Sequence, residues 1–278
     1  MKIKLDDDEI SLKKISNSGQ CFRFKDLGDN KYLVISGEKF LVLSQDEDNL
    51  SEFFLNISEK DFKEKWRNYF DLGTNYKTIR KKIDKNDKFL YNAGEAGKGV
   101  RILKQEKFET LISFIISQRK SIPAIKTSIE KLCRISGKPI GKFKGDIIYS
   151  FPTPIDIRNT DAEKLSNCGF GYRLPYILKA TEECVENPDL LNKIDELDDD
   201  ELLKRLKEFY GVGVKVASCT MLFSYHRLNT FPIDVWIDRA LKSFYPNGFS
   251  FDEYKNYNGV MQQYIFEYFR NKKRSDFV

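Results

Sequence analysis

Leu202-Leu203-Lys204-Arg205-Leu206-Lys207-Glu208-Phe209-Tyr210-Gly211-Val212-Gly213-Val214-Lys215-Val216-Ala217 is the stretch on which the fold turns. Leu202, Leu203, Leu206 and Phe209 form an apolar stripe at helical spacing, so one face of a helix is meant for burial. Gly211-Val212-Gly213 then reads as a tight hairpin, with both glycines relieving backbone crowding and Val212 pinned inward between them. A second, apolar helix starts at once. The free N–H groups of its first turn carry partial positive charge, which suits a phosphate. A bare Gly-x-Gly turn is compatible with a purely structural helical hairpin. The leucine stripe, the aromatic, the Gly-Val-Gly turn and the apolar second helix together form a more specific pattern.

Lys215 lies in the first turn of that second helix. An ammonium there meets the positive end of the helix dipole, which costs stability and favours the neutral amine. A neutral amine is a nucleophile that can attack a sugar C1′ and form a Schiff base. Asp234 follows within Phe231-Pro232-Ile233-Asp234-Val235, where Pro232 breaks the chain and Asp234 can cap the next helix. Its carboxylate could stabilise positive charge on a sugar as a base departs. Taken singly, Lys215 reads as a surface lysine and Asp234 as a helix cap. Beside the hairpin, the two together read as a nucleophile and its electrostatic partner.

The rest of the chain sets the frame. Its 278 residues allow one large domain or two modest ones, and the 41% hydrophobic and 32% charged composition is that of a globular protein. No run approaches the ~20 apolar residues of a membrane span, and the acidic start, Asp6-Asp7-Asp8, lacks a signal peptide's apolar stretch, so the expectation is an intracellular protein. Cys21, Cys133, Cys168, Cys184 and Cys219 are odd in number and scattered. They read as free thiols rather than a zinc or iron–sulfur site, and the single His226 argues against His-based catalysis. Net charge is only +5, but residues 101–145 hold eleven Lys/Arg against Glu106, Glu109 and Glu130, whereas 186–201 hold eight acids against Lys193. Segregation of this kind fits either a basic face for phosphates or a set of solvated helix faces.

Cys21 to Phe24, Tyr32 to Ile35 and Phe40 to Leu43 read as an antiparallel meander with turns at residues 27–30 and 36–39. From about residue 48 the period becomes helical. Ser58 is a candidate N-cap with Asp61 in the capping-box position, and Pro123 sits in the first turn of a helix. Helices are expected over 103–116, 124–133, 161–168, 176–186, 199–209, 214–225, 235–244 and 251–269. The outline is α+β: an N-terminal antiparallel sheet domain with helices over 1–98, packed on a larger all-α body over 99–278, with the helical hairpin at about 199–225.

Gly211 to Cys219 followed by Pro232-Ile233-Asp234-Val235 resembles the helix-hairpin-helix DNA glycosylase superfamily, and a lysine at position 215 resembles its bifunctional branch. The resemblance narrows to the 8-oxoguanine DNA glycosylase/AP lyases. Asn17-Ser18-Gly19-Gln20-Cys21-Phe22-Arg23 looks like that family's N-terminal segment. Tyr69-Phe70-Asp71-Leu72 and Gly99-Val100-Arg101-Ile102-Leu103 look like its interdomain stretch, and Gly169-Phe170-Gly171-Tyr172-Arg173 like its Gly-x-Gly-Tyr-Arg turn. Tyr257-Asn258-Gly259 to Phe266 looks like its C-terminal helix, so the likeness runs from about residue 12 to 270. The short length and the absence of a nuclear-type basic tail suit a prokaryotic relative of the eukaryotic type, working in the cytoplasm or nucleoid.

The resemblance implies roles. Lys215 is the nucleophile and Asp234 its partner. The Gly19 carbonyl reads N7–H of 8-oxoguanine, Gln262 binds the base's Watson–Crick edge, and Phe266 and Cys219 stack on its faces. On periodicity alone, Phe266 and Cys219 are core residues. Tyr172 wedges into the gap left by the flipped base, Arg173 bonds the orphaned cytosine, and Gly211 and Gly213 meet the backbone of double-stranded DNA. The chain departs from the eukaryotic pattern at Arg119, which stands where an asparagine reaches the cytosine. Ala124 replaces a second cytosine-reading arginine, and Trp236 replaces a histidine near a phosphate. No catalytic metal or organic cofactor is implied, though a monovalent or calcium ion on the hairpin carbonyls is compatible with the pattern. The implied enzyme is a monomer that releases the base and nicks the strand by β-elimination. Three alternatives stay open: a monofunctional glycosylase for alkylated bases, an endonuclease for oxidised pyrimidines, and a non-enzymatic helix-hairpin-helix DNA-binding protein.

Overall fold

The computed structural model describes residues 1–272 and is α+β, a five-stranded antiparallel sheet against a mostly helical body. β1 (Lys2–Lys4), β2 (Phe24–Asp26), β3 (Lys31–Ser36), β4 (Lys39–Ser44) and β5 (Glu52–Leu55) lie in the order β1-β5-β4-β3-β2. The β3–β4 pair runs in unbroken register from Lys31 opposite Ser44 to Ser36 opposite Lys39. Alternation sends Tyr32, Val34, Leu41 and Leu43 to one face and Leu33, Ile35, Phe40 and Val42 to the other. The first face packs on Phe62, Trp66, Tyr69 and Phe70. The second is covered by a hairpin from the body, β6 (Pro139–Phe143) and β7 (Asp146–Tyr149), through Ile140, Phe143 and Ile148. With both faces covered, β3 is buried continuously from Tyr32 to Ser36.

The helices are α1 (Leu12–Asn17), α2 (Glu59–Asp61), α3 (Arg67–Tyr69), α4 (Tyr76–Arg80), α5 (Lys88–Ala96), α6 (Lys107–Ser117), α7 (Ile122–Ser136) and α8 (Pro154–Arg158). They continue with α9 (Ala162–Ser166), α10 (Leu174–Glu186), α11 (Leu190–Lys193), α12 (Asp199–Glu208), α13 (Val214–Phe223), α14 (Val235–Phe244) and α15 (Asn258–Arg270). A π-helical turn over Phe62–Trp66 joins α2 to α3. Ser58 caps α2 by accepting from the Asp61 amide, and Pro123 lies in the first turn of α7. Among the described residues no helix is long and apolar enough to cross a membrane.

Several expectations are corrected. The meander begins at Phe24, because Cys21 to Phe24 are all buried and do not alternate. Strand β5 occupies residues expected to be helical, paired with β1 at the N-terminus. The body is not purely α, since it carries β6–β7, whose turn has Lys144 at φ +50° and Gly145 at φ +88°. Helix α6 starts only at Lys107, because Leu103 and Lys104 are held extended by bonds from their amides to Gln20 Oε1 and the Tyr69 carbonyl. Residues 251–257 are turns, and α15 begins at Asn258.

The sheet domain is locked to the body through Arg101, which is fully buried. Its guanidinium donates to Asp8 Oδ2 at 2.6 Å and to the carbonyls of Glu9, Phe70, Asp71 and Thr74. Asp71 beside it accepts from Tyr76 and pairs with Lys104 at 2.9 Å and His226 at 3.2 Å. Burial alone would raise the Asp71 carboxyl, but His226, Lys104 and Thr74 hold it down at about 2. All five cysteines are buried and free.

Candidate active site

Gly19 stands at the seam between domains. The next residue, Gln20, is buried and clamps the extended 101–105 segment: its Nε2 donates to the Arg101 carbonyl, its Oε1 accepts from the Leu103 amide, and its carbonyl accepts from Gln105. Gly19 itself has φ +73°, a conformation that favours glycine. A Cβ on it would lie 3.6 Å from the Phe266 ring and 3.7 Å from Ile122, so backbone there closes directly on the last helix.

Helices α12 and α13 form the hairpin expected from the sequence. The Val212 amide donates to the Phe209 carbonyl at 3.0 Å and Val212 is buried. Gly211 has φ +80°, and a Cβ on it would fall 2.3 Å from the Tyr176 ring, so only glycine fits. Gly213 differs from expectation. Its φ is −91° and nothing lies within 4 Å of a Cβ placed there, so it relieves no crowding within the protein. Gly213 is the N-cap of α13 without a side-chain cap, and the first-turn N–H groups beside it meet no capping oxygen.

Lys215 is half-buried, with Nζ donating to Ser117 Oγ at 3.4 Å and lying 5.0 Å from the Phe114 ring centroid. Phe114 in turn stacks on Phe223 and meets Phe22 edge to face, so the seat under the ammonium is rigid. One turn on, Cys219 is buried. Burial pushes its thiol up, with Lys215 opposing and Asp234 adding to the rise.

Asp234 caps α14, Oδ1 accepting from the Trp236 and Ile237 amides at 2.9 Å each. The cap fixes the carboxylate at the mouth of the same depression as Lys215. The buried Pro232 turns its carbonyl inward to accept from Gln262 Nε2 at 3.0 Å, and Gln262 Oε1 accepts from Gln263. Phe266 is 6% exposed, with the Arg270 guanidinium 5.0 Å from its ring centroid.

Gly19, Lys215, Cys219, Asp234, Gln262 and Phe266 all line one cleft of about 920 Å³, a size that admits a nucleobase and its sugar. Arg119 and Trp236 stand on the same cleft and are exposed. Tyr172, Arg173, Gly211 and Gly213 do not line it. Tyr172 is 50% exposed and meets Tyr176 edge to face. Arg173 is turned inward, donating to the carbonyls of Gln118 and Phe170. Ala124 is partly buried in the first turns of α7. Sequence reasoning did not single out Ser117, Phe114 or Gln20. Ser117 and Phe114 sit in a stretch of helix buried without a break from Thr110 to Ser117, which gives no local signal, and Gln20 would be noticed only as a polar residue flanked by the buried run that follows it. Among the described residues no group of three His, Cys, Asp or Glu could hold a metal.

Comparisons with known proteins cover both parts of the chain. The family model described as 8-oxoguanine DNA glycosylase, N-terminal domain, matches residues 2–111, and that described as HhH-GPD superfamily base excision DNA repair protein matches 112–255. The chain is similar to the N-glycosylase/DNA lyase of Saccharomyces cerevisiae, 30% identical over 88% of this chain and 70% of that one. It resembles the structure of MBOgg1 in complex with a low affinity DNA ligand, at TM-score 0.89 and 34% identity over 97% of this chain and 94% of that one. It also resembles the Clostridium acetobutylicum 8-oxoguanine glycosylase/lyase in complex with double-stranded DNA containing cytosine opposite 8-oxoguanine. There the TM-score is 0.86 and the identity 33%, over 97% of each chain.

Proposed function

The chain belongs to the HhH-GPD superfamily of base excision DNA repair proteins, with the N-terminal domain of the 8-oxoguanine DNA glycosylases, and we propose that Lys215 and Asp234 carry its chemistry. It is a bifunctional DNA glycosylase/AP lyase that excises 8-oxoguanine from double-stranded DNA. The observation that carries the assignment of residues is a single cleft bringing Lys215 and Asp234 together with Gly19, Cys219, Gln262 and Phe266.

The lesion nucleotide leaves the duplex and enters this cleft, with Cys219 and Phe266 as apolar surfaces for the base faces. The Gly19 carbonyl accepts the N7–H that guanine lacks, and Gln262 exchanges its bond to Pro232 for the Watson–Crick edge. As the C1′–N9 bond breaks, the base takes the electron pair and a proton given up by the Lys215 ammonium. The Asp234 carboxylate stabilises the positive charge left on the sugar. Lys215 Nζ then bonds C1′, the ring C1′–O4′ bond opens as one of the two nitrogen-bound hydrogens passes to O4′, and a protonated Schiff base results. That cation acidifies the C2′ hydrogen. Loss of this proton expels the 3′ phosphate and nicks the strand.

Tyr172, exposed beside the hairpin, is the wedge for the vacated stack, and Arg119 faces the opposite strand. The uncapped first turn of α13 at Gly213 receives a phosphate, and Gly211 shapes the hairpin behind it. The steps need no organic cofactor or catalytic metal. A monovalent or calcium ion on the hairpin carbonyls would act as a structural bridge, a role that oxygen ligands suit. We take the work to be that of a monomer at the nucleoid of a prokaryotic cell. The test is chromatographic detection of free 8-oxoguanine released from a duplex with cytosine opposite. Release of 3-methyladenine instead would favour the monofunctional alkyl-base reading.

A further inference from the structure

The backbone from Ser16 to Gln20, which carries Gly19, is held by side chains from three separate parts of the body. Helix α1 ends at Asn17, and the last carbonyls of a helix have no partner within it. Here they are met from outside, by cations, as suits a helix C-terminus. Lys126 of α7 donates to the Ser16 carbonyl at 3.5 Å and to that of Phe24 at 3.3 Å. Arg270, the last residue of α15, donates from Nη1 to the Asn17 carbonyl. Gln105 Nε2 donates to the Gln20 carbonyl at 2.7 Å. Ser18 folds back onto α1, its amide and hydroxyl both donating to the Ile15 carbonyl. Among the described residues no group donates to the Gly19 carbonyl, which is left open as an acceptor between these ties.

We propose that Arg270 is a positioning residue for base recognition, fixing the Gly19 backbone against the Phe266 ring and so setting the slot in which 8-oxoguanine is read. This rests on the base-reading role given to Gly19 above. While Nη1 holds Asn17, the Arg270 guanidinium lies 5.0 Å from the centroid of Phe266, one helical turn back. A planar guanidinium can cover a ring with its face and donate from its edge, so a single side chain ties both walls together. The tie is itself anchored. Glu267, buried one turn before the end of α15, pairs with Arg270 at 3.5 Å and accepts from Asn271 at 3.0 Å. Burial pushes the Glu267 carboxyl up, and Arg270 leads the groups that oppose the rise. Arg270 is 19% exposed and lines the cleft with Gly19 and Phe266. Because Gly19 and Phe266 are already in contact, a shift in the one is felt by the other.

The experiment compares wild type, Arg270→Met, Arg270→Lys and the Gly19→Ala/Arg270→Met double variant on two duplexes. One carries 8-oxoguanine opposite cytosine, the other a preformed abasic site, which calls on Lys215 but offers no base to read. Methionine keeps apolar cover on Phe266 but cannot donate to Asn17. Arg270→Met is expected to release 8-oxoguanine about tenfold or more slowly in single turnover, with nicking of the abasic duplex and affinity for both duplexes within about twofold of wild type. Arg270→Lys, which keeps a donor, should show a smaller loss of the same kind. The double variant should be no slower than the slower single, because both act through one stretch of backbone. Equal losses on the two duplexes, or weaker binding with a shallower salt dependence, would make Arg270 a general DNA contact and overturn the proposal. Unchanged base release, or losses that multiply in the double variant, would overturn it too. Hydrogen exchange of the DNA-free protein reads the tie without reference to the lesion: Arg270→Met should speed exchange across 17–21, and unchanged exchange there contradicts the tie. Wild type that nicks the abasic duplex but leaves 8-oxoguanine untouched would sink the base-reading role of Gly19 instead.

Discussion

Gly19 and Phe266 meet across the cleft from opposite ends of the chain, a Cβ on Gly19 falling 3.6 Å from the Phe266 ring. The space would admit a methyl group, but φ +73° would not admit it without strain of about 1–2 kcal/mol. Gly19→Ala should therefore shift the backbone that reads the base while leaving the DNA-binding surface at the hairpin unchanged. The expected outcome is loss of 8-oxoguanine release by about tenfold or more with duplex affinity retained. Equal release by the variant would remove Gly19 from the base-reading role.

Asp234 has two duties that substitution can separate. Asparagine caps helices about as well as aspartate, so Asp234→Asn should keep the bonds to the Trp236 and Ile237 amides and the melting temperature. It removes the charge, and base release should fall by about 10²-fold or more. Asp234→Ala should show the same kinetic loss plus about 1 kcal/mol of lost stability. A fully active Asp234→Asn variant would leave this residue as a cap only.

The hairpin glycines should separate in the same way. Gly211→Ala drives a methyl into the Tyr176 ring at φ +80°, and urea denaturation should show a loss of a few kcal/mol. Gly213→Ala enters open space at an ordinary φ, so stability should fall by no more than about 1 kcal/mol, the cost of alanine at an N-cap, while affinity for duplex DNA falls. Unchanged affinity in Gly213→Ala would move the phosphate seat away from the first turn of α13.

Glu109 predicts a pH dependence of stability. Burial raises its carboxyl from 4.5 to about 7, Arg23 opposing and Glu106 adding to the rise, and its Oε2 is enclosed with no hydrogen-bond partner. Between those values the folded protein keeps a proton that the unfolded chain releases. Stability from this group is therefore present below about pH 4.5, is lost as pH rises toward 7, and stays lost above it. Glu109→Gln should melt like wild type near pH 4.5 and resist urea better at pH 8, by an amount on the order of 1–3 kcal/mol. Parallel curves across that range would contradict the buried proton.

That Lys215 and Asp234 come to one cleft was legible because hairpin and cap are local devices: Gly-Val-Gly and Pro232-Ile233-Asp234 each specify their own geometry within a few residues. Gln262 and Phe266 were legible only through resemblance. Helix α15 is buried on every side from Asn258 to Glu267, so no polar stripe distinguishes a pocket-facing residue from core. Strand β1 escaped notice because three residues with two lysines carry no alternation, and its partner β5 lies some fifty residues away. The β6–β7 hairpin did carry a signal, Ile140 and Phe143 before Lys144-Gly145 and Ile147-Ile148-Tyr149 after it, but the strength of the surrounding helical pattern concealed it. Arg173 shows the limit most clearly. Its place in the Gly-x-Gly-Tyr-Arg turn implies a DNA contact by resemblance alone, and only the fold shows its guanidinium turned onto Gln118 in the DNA-free protein.

The central claim is that Lys215 bonds the sugar, and borohydride trapping tests it most directly. Wild type and Lys215→Gln would be incubated with a duplex carrying one 8-oxoguanine opposite cytosine, in the presence of borohydride. A covalent protein–DNA adduct in wild type alone, mapped by peptide mass to Lys215, is the expected result. Base release by wild type without any adduct, or an adduct that persists in Lys215→Gln, would contradict the assignment of the nucleophile.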